Sequence, residues 1–352
     1  MKITTTAIIS LVLAAINLTT FAGDWPQWRG PNRDGVSTEK DLLDKWPEGG
    51  PKLVWKASGL GVGFSSVSIR NGLIYTMGDG KESSHVFCVD AKDGKIVWTS
   101  KPVGKTGGNY KGTRCTPTLE GDHLYALGQF GDLVCLEASN GAEVWRRSLT
   151  EDFGGRSGGW NYTESPLVDE GKVLVTPGGK KGAVVALSAK TGKLVWQSKD
   201  FTDGAQYSSL IVRDFAKRRQ YIQLTGSSVV GLDAKSGDTL WKAPRKGRTA
   251  TITTPVFHEG HLFVTSAYGV GCNGFKVTRN KAGFSAKQIY ANKTIANHHG
   301  GCIRVGDYVY GSSGSTLACL ELKTGKEMWR ERSAGKGAIV VVDGKIILRA
   351  EN

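Results

Sequence analysis

The chain has 352 residues, of which 39% are hydrophobic, 48 are Gly and 10 are Trp, and this composition excludes a disordered protein. The length suits one large all-β unit or two ordinary domains. The formal net charge of +14 favours anionic partners, although the basic residues are scattered and form no long run.

The first 22 residues, MKITTTAIISLVLAAINLTTFA, have the pattern of a signal peptide. Lys2 supplies the positive charge, residues 8–18 form the apolar stretch, and Ala22 is the small residue before the cleavage point. The apolar run is shorter than the ~20 residues that a membrane-spanning helix needs. We therefore expect a periplasmic or secreted protein with no transmembrane segment after cleavage.

A repeat occupies most of the remaining chain. Each copy has an apolar stretch, a polar position, a turn ending in Gly, and a short apolar run that closes on an aromatic residue. The copies are CVDAKDGKIVW (88–98), CLEASNGAEVW (135–145), ALSAKTGKLVW (186–196), GLDAKSGDTLW (231–241), the degenerate KVTRNKAGFSAKQIY (276–290), CLELKTGKEMW (319–329) and a closing half, KLVW (52–55). The closing aromatic residues are 39 to 51 residues apart. A four-stranded propeller blade takes about 40 to 50 residues.

Four strands can be placed in each unit, as the first one illustrates. We predict strands at 65–69, 73–77, 86–90 and 95–99, with an Asn71-Gly72 hairpin turn between the first two. The predicted fold is therefore an all-β propeller of about seven four-stranded blades over residues 51–352. A signal peptide (1–22) and an N-terminal extension (23–50) precede it.

Ring closure explains the isolated KLVW segment, which we expect to be an N-terminal outer strand that completes the last blade. The last unit begins with strands at 338–342 and 345–349, and the sequence ends where a third strand is expected. We therefore expect a truncated last blade, in a chain that is a fragment of a longer one. A propeller of eight blades, or a structural module of a larger chain, is the alternative.

The repeat alignment also indicates the role of three cysteines. Cys88, Cys135 and Cys319 occupy the same third-strand position as Ala186 and Gly231. An even number of cysteines in an exported protein is compatible with disulfides. The shared position instead favours small buried residues that let neighbouring sheets approach, with the closing Trp side chains wedged between blades.

The connections between units predict a binding face. In a propeller these loops lie together on one face, and here they are long, at 99–113, 146–164, 243–250 and 291–301. Basic and aromatic residues interleaved in Gly-rich loops suit a sugar or an anion. The candidate ligand-binding residues are Arg114, Arg156, Trp160, Asn161, Tyr162, Glu164, Gln206, Tyr207, Arg248, His298 and His299, with Tyr110 beside them. Glu164 is expected to pair with Arg114 or Arg156.

No catalytic or metal-binding residue is assigned from the sequence. The chain has no G-x-S-x-G nucleophile elbow, no phosphate-binding Gly loop and no paired carboxylates of the glycosidase type. His298 and His299 are adjacent, and neighbours on an extended strand point to opposite sides, so we expect at most one of them to face the channel. An exported protein does not ordinarily meet nucleic acid, so we expect no nucleic-acid partner.

The repeats, above all the copy LDAKSGDTLW, and the N-terminal segment DWPQWRGPNRDGVS (24–37) resemble the pyrroloquinoline-quinone-like (PQQ-like) repeat propellers of secreted bacterial proteins. The resemblance implies one of two activities. One branch comprises dehydrogenases that use PQQ with calcium to oxidise alcohols or sugars. The other comprises non-catalytic scaffolds that bind proteins.

We interpret the chain as a non-catalytic scaffold that binds an envelope protein or an anionic polysaccharide and needs no cofactor. It lacks the adjacent Cys pair that quinoprotein alcohol dehydrogenases commonly carry. The alternative is a PQQ-dependent dehydrogenase with calcium. In that reading, by analogy, Trp160 stacks on the quinone, Glu164 is the base and Asn161 binds calcium.

Overall fold

The structure is a computed structural model that describes residues 23–108 and 110–351, so the predicted signal peptide lies outside the described residues. The described residues form strands and turns, arranged in seven antiparallel sheets. Five sheets have four strands joined in sequence order, one has the same four strands and a short fifth, and the seventh has two. Within the described residues, no helix has the length and apolar composition that a membrane crossing requires.

Each sheet corresponds to one sequence unit. The first sheet contains β1 (Ser68–Arg70), β2 (Leu73–Asp79), β3 (Ser83–Asp90), β4 (Ile96–Thr99) and a short β5 (Gly104–Lys105) that pairs with β3. The second contains β6 (Thr118–Glu120), β7 (His123–Leu127), β8 (Asp132–Glu137) and β9 (Glu143–Ser148). The third contains β10 (Leu167–Asp169), β11 (Lys172–Val175), β12 (Val185–Ser188) and β13 (Leu194–Gln197).

The remaining sheets continue the same order. The fourth contains β14 (Ile211–Phe215), β15 (Arg218–Leu224), β16 (Ser228–Asp233) and β17 (Thr239–Pro244). The fifth contains β18 (Val256–His258), β19 (His261–Ser266), β20 (Gly271–Asn280) and β21 (Gly283–Asn292). The sixth contains β22 (Ile303–Val305), β23 (Tyr308–Ser313), β24 (Thr316–Glu321) and β25 (Glu327–Arg332), and the seventh contains β26 (Gly337–Val342) and β27 (Lys345–Ala350).

The hairpin turns explain why these sequences fold into meandering sheets. Arg70 pairs with Leu73, so Asn71 and Gly72 are the two central residues of the first turn. Both have positive φ, at 50° and 73°. This is the geometry of a type I′ turn, which matches the twist of antiparallel strands and favours Asn-Gly. The predicted propeller, with its four-stranded units, is therefore confirmed for the described part of the chain.

The hydrophobic core lies between sheets rather than inside any one of them. Side chains from the first three sheets form one cluster, and four further clusters join successive neighbouring sheets around to the seventh. The first strands of neighbouring sheets lie together, as β1 does with β6 and β6 with β10. The first strands therefore surround the axis of a ring, and burial between blades supplies its stability.

The closing Trp residues dock onto the next sheet, as the repeat predicts. Trp145 of the second sheet lies over the turn of the third, where its Nε1 donates to the carbonyl oxygen of Ala189 at 2.8 Å. A Cβ atom added at Gly192 of that turn would lie 2.8 Å from the Trp145 ring, which explains the Gly at the end of the turn. Removing such a buried Trp costs about 3–5 kcal/mol.

The small third-strand residues make room for the closing Trp of their own blade. Cys88, Cys135 and Gly231 each lie directly opposite the closing Trp of their own sheet, in cross-strand pairs. A Cβ atom on Gly231 would lie 2.3 Å from the Trp241 ring. The small side chain thus accommodates a Trp within the same blade. All six cysteines are buried and free, as expected for at least three of them.

The N-terminal segment, residues 24–37, fills the central channel and bonds to all seven sheets. The partners are Trp25 with Ile69, Pro26 with Leu119, Arg33 with Pro166, Asn32 with Arg213, Trp28 with Thr254, Arg29 with Cys302, and residues 35 and 37 with Val341. We call residues 24–37 the channel segment. What the sequence presented as an extension is therefore the central element of the ring.

The predicted N-terminal outer strand does not form. Residues 52–55 belong to no strand of the described chain, and Leu53 and Val54 are largely exposed. The last sheet ends at β27, so no third strand stands beside this segment to provide a hydrogen-bonding ladder. Trp55 nevertheless docks on the first sheet as a closing Trp would, because its Nε1 donates to the carbonyl oxygen of Ala91 at 2.8 Å.

Candidate functional site

A funnel of about 760 Å³ opens at one end of the ring, where the first strand of each sheet begins. All seven sheets, or the loops that lead into them, contribute to its wall, and the channel segment provides its floor through Trp28. The wall residues are Phe64, Ser66, Tyr110, Arg114, Trp160, Thr163, Ser165, Tyr207, Ser209, Ile252, Tyr268, His298, His299, Gly300, Lys336, Ala338 and Glu351. The long loops therefore meet at one end of the ring, and the binding of a ligand there stays a prediction.

Three aromatic side chains form a row along one side of the funnel. The Trp160 ring centroid lies 6.1 Å from that of Tyr110 and 5.6 Å from that of Tyr207. The backbone N–H of Trp160 donates to the hydroxyl of Tyr207 at 3.2 Å, which fixes the loop against the fourth sheet. Tyr110 is 70% exposed and Trp160 is half-buried, whereas Tyr207 is 6% exposed, so Tyr110 and Trp160 supply most of the aromatic surface that the row presents to the funnel.

Arg114 holds this row in place. Its guanidinium donates to the carbonyl oxygens of Tyr110 and Trp160 and lies 5.5 Å from the centre of the Phe64 ring. Burial lowers the pKa of Arg114, and the negative charge of Asp79 partly opposes that effect. The residue expected to bind an anion thus has a clear positioning role, since it ties two aromatic side chains to the wall.

A polar group lies on the other side of the funnel. The His299 Nε2 lies 2.7 Å from a Glu351 oxygen, and the Lys336 ammonium lies 2.7 Å from the other oxygen of that carboxylate. The His298 Nε2 lies 3.0 Å from the hydroxyl of Tyr268. Burial lowers the pKa of His298, and Lys336 and His299 lower it further. The positive charge of Lys336 is thus offset by the negative charge of Glu351 within this group.

Both histidines line the funnel, so the expectation that only one would face it is wrong. Their ring centroids are 5.2 Å apart. Strand alternation does not apply, because residues 293–302 form no strand and Gly300 and Gly301 both have positive φ. The carboxylate close to both rings is that of Glu351.

Glu164 and Tyr162 are buried behind the funnel wall. Glu164 is 2% exposed and accepts hydrogen bonds from the Thr176 backbone N–H, from the Thr176 hydroxyl at 2.9 Å and from Gln223 at 3.4 Å. Burial raises its pKa to about 7, against the hydrogen bonds and the charge of Arg33. The expected pairing with Arg114 or Arg156 is therefore wrong. Tyr162 donates its hydroxyl to the Pro177 carbonyl at 2.9 Å.

Four other predicted residues lie near the funnel without lining it. Asn161 has a positive φ of 61° and belongs to a turn, because its N–H donates to the Gly158 carbonyl. Arg248 is exposed and donates to the Tyr268 carbonyl at 3.3 Å. Gln206 is half-buried, and Arg156 is exposed. The structure thus brings together five of the predicted residues: Arg114, Trp160, Tyr207, His298 and His299.

Several funnel residues were missed. Trp28 belongs to the channel segment, whose position no repeat could reveal. Tyr268 lies in the turn between β19 and β20, with a positive φ of 57°. The sequence could have identified Tyr268 from its place in the repeat. In a blade, the turn between the second and third strands lies on the same face as the connections between sheets, and Tyr268 is in such a turn.

The funnel does not provide what PQQ and calcium require. Calcium takes six to eight oxygen ligands, including carboxylates. Among the described funnel residues the carboxylate is that of Glu351, which already bonds to Lys336 and His299. Glu164 and Asn161, the base and calcium ligand by analogy, do not line the funnel. Trp160 does offer an aromatic face, but the described wall has no carboxylate that is free to bind calcium.

Comparisons with known proteins agree with this architecture. The outer membrane protein assembly factor BamB of Shewanella oneidensis is 22% identical over 253 residues, which cover 68% of this chain and 61% of that protein. The quinohemoprotein alcohol dehydrogenase ADH IIB of Pseudomonas putida is 32% identical over 139 residues, which cover 36% of this chain and 19% of that one. The chain therefore spans less than two thirds of each relative.

A solved structure shows the same fold. The crystal structure of BamB from Moraxella catarrhalis superposes with a TM-score of 0.61 at 15% identity, covering 86% of both chains. The family model described as outer membrane protein assembly factor BamB matches residues 82–331, most of the chain. The chain belongs to this family, and the resemblance to the PQQ-like repeat propellers is confirmed.

Proposed function

We propose that the protein is a non-catalytic scaffold of the cell envelope that binds a protein partner in the funnel. The observation that carries the proposal is the aromatic row, in which the exposed Tyr110 and the half-buried Trp160 face the funnel and pack with the buried Tyr207, and which Arg114 fixes. Tyr, Trp and Arg are the residues that dominate protein interfaces, because they bury large rigid surfaces at little cost in conformational entropy.

The surroundings of the row support a protein rather than a charged polymer. Across the funnel, Lys336 and Glu351 form an ion pair, so their charges offset each other. Arg114 is occupied with backbone carbonyls and the Phe64 ring. An anionic polysaccharide, the other expected partner, would have to compete with these contacts. Membership of a family named for outer membrane protein assembly supports a periplasmic, envelope-associated location.

A crosslinking experiment in cells of the source organism tests the proposal. A photoreactive amino acid placed at position 110 should trap a discrete protein partner. The variant Trp160→Ala, made in the same background, should reduce that product at least about tenfold, since loss of one interface anchor costs about 2 kcal/mol or more. The matched control is Val97→Ala, which truncates an exposed side chain on β4, and it should leave the product unchanged.

Two results would contradict the proposal. One is crosslinking that is equally strong in Trp160→Ala and Val97→Ala. The other is saturable binding of PQQ with calcium to the purified protein, followed by dye reduction with alcohols or sugars. That second result would establish the dehydrogenase alternative.

A further inference from the structure

A second cavity, of about 720 Å³, lies at the opposite ends of the inner strands. It is lined by the ends of β14, β18 and β22 and by the channel segment, which separates it from the funnel. The lining residues are Arg29, Asn32, Arg33, Asp34, Arg213, Asp214, Phe215, Ala216, Thr254, Pro255, Val256, Phe257, His258, Glu259, Cys302 and Arg304. Its volume falls in the range of small-molecule sites, roughly 300–1,000 Å³.

Four arginines line this cavity, and the hydrogen bonds found for each go mainly to neutral groups. Arg29 donates to the carbonyl of Cys302 at 2.6 Å, and Arg33 donates to that of Ser165 at 2.8 Å. Arg213 donates to the Val212 carbonyl at 2.7 Å, and Arg304 donates to the Gly306 carbonyl at 2.6 Å. Within the described residues, none of the four forms an ion pair with a carboxylate.

The carboxylates around the cavity offset only part of this charge. Asp214 lies 2.7 Å from the guanidinium of Arg219. Asp34 accepts the backbone N–H of Val36 at 3.0 Å, and its negative charge acts on Arg29 and Arg213 without forming an ion pair with either. The third, Glu259, is mostly exposed and lies 3.8 Å from His258. The cavity therefore has an excess of positive charge.

Two of the four arginines are held away from water, and the other two, Arg213 and Arg304, are half-buried. Arg29 and Arg33 are 6% and 3% exposed, and the Nε of each is buried without a hydrogen-bond partner. Burial lowers the pKa of Arg29 and of Arg213, and lowers that of Arg33 to about 10. Buried charges in proteins are ordinarily paired, since an unpaired one is costly. An anion in the cavity would offset that cost.

We infer that this cavity is a binding site for a tetrahedral oxyanion, a phosphate or sulfate group, held chiefly by Arg213 and Arg304. The planar guanidinium donates two parallel hydrogen bonds to such a group, and these charged bonds are about twice as strong as neutral ones. Arg29 and Arg33 supply positive potential from the channel segment. The remaining volume, beside Phe215 and Phe257, accommodates the organic part of a phosphorylated or sulfated molecule.

The inference is independent of the proposed scaffold function, and calorimetric titration of the purified protein tests it directly. The probes are inorganic phosphate and, in a separate titration, sulfate. We expect saturable binding of one ion per chain, together with a rise in the melting temperature. Arg304→Gln should weaken binding at least about tenfold by removing a charged donor pair. If Arg213→Gln also weakens binding of the ion, the ion lies between Arg213 and Arg304.

The matched control is Arg332→Gln, which removes the same charge from an exposed position on β25 of the same sheet. It should bind phosphate as the parent does. The inference is overturned if neither ion binds saturably up to millimolar concentrations. It is also overturned if Arg304→Gln and Arg332→Gln weaken binding equally, because that would show only a response to net charge. Melting curves without ligand identify any variant that has lost its fold.

Discussion

Arg33 donates a hydrogen bond of 3.0 Å to the carbonyl oxygen of Pro166, a residue 133 positions away. Two further bonds, to the Ser165 carbonyl and to the side chain of Gln27, hold the same guanidinium. Arg33 thus ties the channel segment to the third sheet.

Replacing Arg33 by Ala should therefore destabilise the fold. The substitution removes the Arg33 donor from the buried Ser165 carbonyl, leaves the Pro166 carbonyl with the Thr118 hydroxyl alone and opens a cavity in the channel, so the free energy of unfolding should fall by about 2–4 kcal/mol. Urea unfolding followed by Trp fluorescence measures the change. Arg332→Ala, at an exposed position, should change stability by no more than about 0.5 kcal/mol. Equal effects of the two substitutions would mean that the channel segment contributes little.

Glu164 should make stability depend on pH. Its pKa is raised to about 7 in the folded protein, above its value in the unfolded chain. Between about pH 4.5 and 7 the folded state therefore holds a proton that the unfolded state has lost, and stability falls as pH rises through this window. The loss is complete above pH 7 and amounts to roughly 3 kcal/mol.

The variant Glu164→Gln cannot ionise, so its stability should change less over this range. Unfolding in urea at pH 5 and pH 8 compares the two proteins. Parallel pH profiles for the parent and the variant would show that Glu164 is not the titrating group.

Gly231 should not tolerate a methyl group. Gly231→Ala places a Cβ within 2.3 Å of the Trp241 ring, so the ring must move out of its packing position. Overpacking of this kind costs about 1–3 kcal/mol. Gly204→Ala is the matched control, because a Cβ there meets nothing within 4 Å. A stability loss in the control equal to that in Gly231→Ala would attribute the effect to the loss of Gly in general.

The six cysteines should be unreactive in the native protein. All are buried and free, and burial raises the pKa of Cys115 and Cys302 to about 12 and that of Cys88 to about 11. Thiolate, not thiol, is the reactive form. Ellman's reagent at pH 8 should detect no thiols before unfolding and six after addition of guanidinium chloride. Fewer than six after unfolding would indicate disulfides.

The repeat made the propeller predictable because each blade repeats one local rule. A turn with positive φ, a small residue and a closing Trp recur at blade spacing, so the pairing of Gly231 with Trp241 follows from the alignment. The first two strands were placed to within a few residues for the same reason. The funnel followed from the connections between blades, which made Trp160 and Tyr207 identifiable.

The rest depended on contacts that occur once. The channel segment has no strand periodicity, and its two arginines look like surface residues although they are buried. Glu164 precedes an inner strand, and nothing in the repeat shows that it turns away from the funnel towards Thr176. Glu351 joins His299 only because the seventh sheet lies beside the sixth. Such placements arise from tertiary packing, which local patterns do not encode.

The channel segment also bears on the order in which the chain folds. Its hydrogen bonds join residues 133, 226 and 273 positions apart, to Pro166, Thr254 and Cys302. Contacts of such long range are slow to form, because the loop-closure entropy is lost before the contact stabilises anything. The bonds to Ile69 and Leu119 require only the first two sheets, whereas the later ones can form only when the last blades are present. The part of the chain that is synthesised first is therefore the part that completes its interactions last.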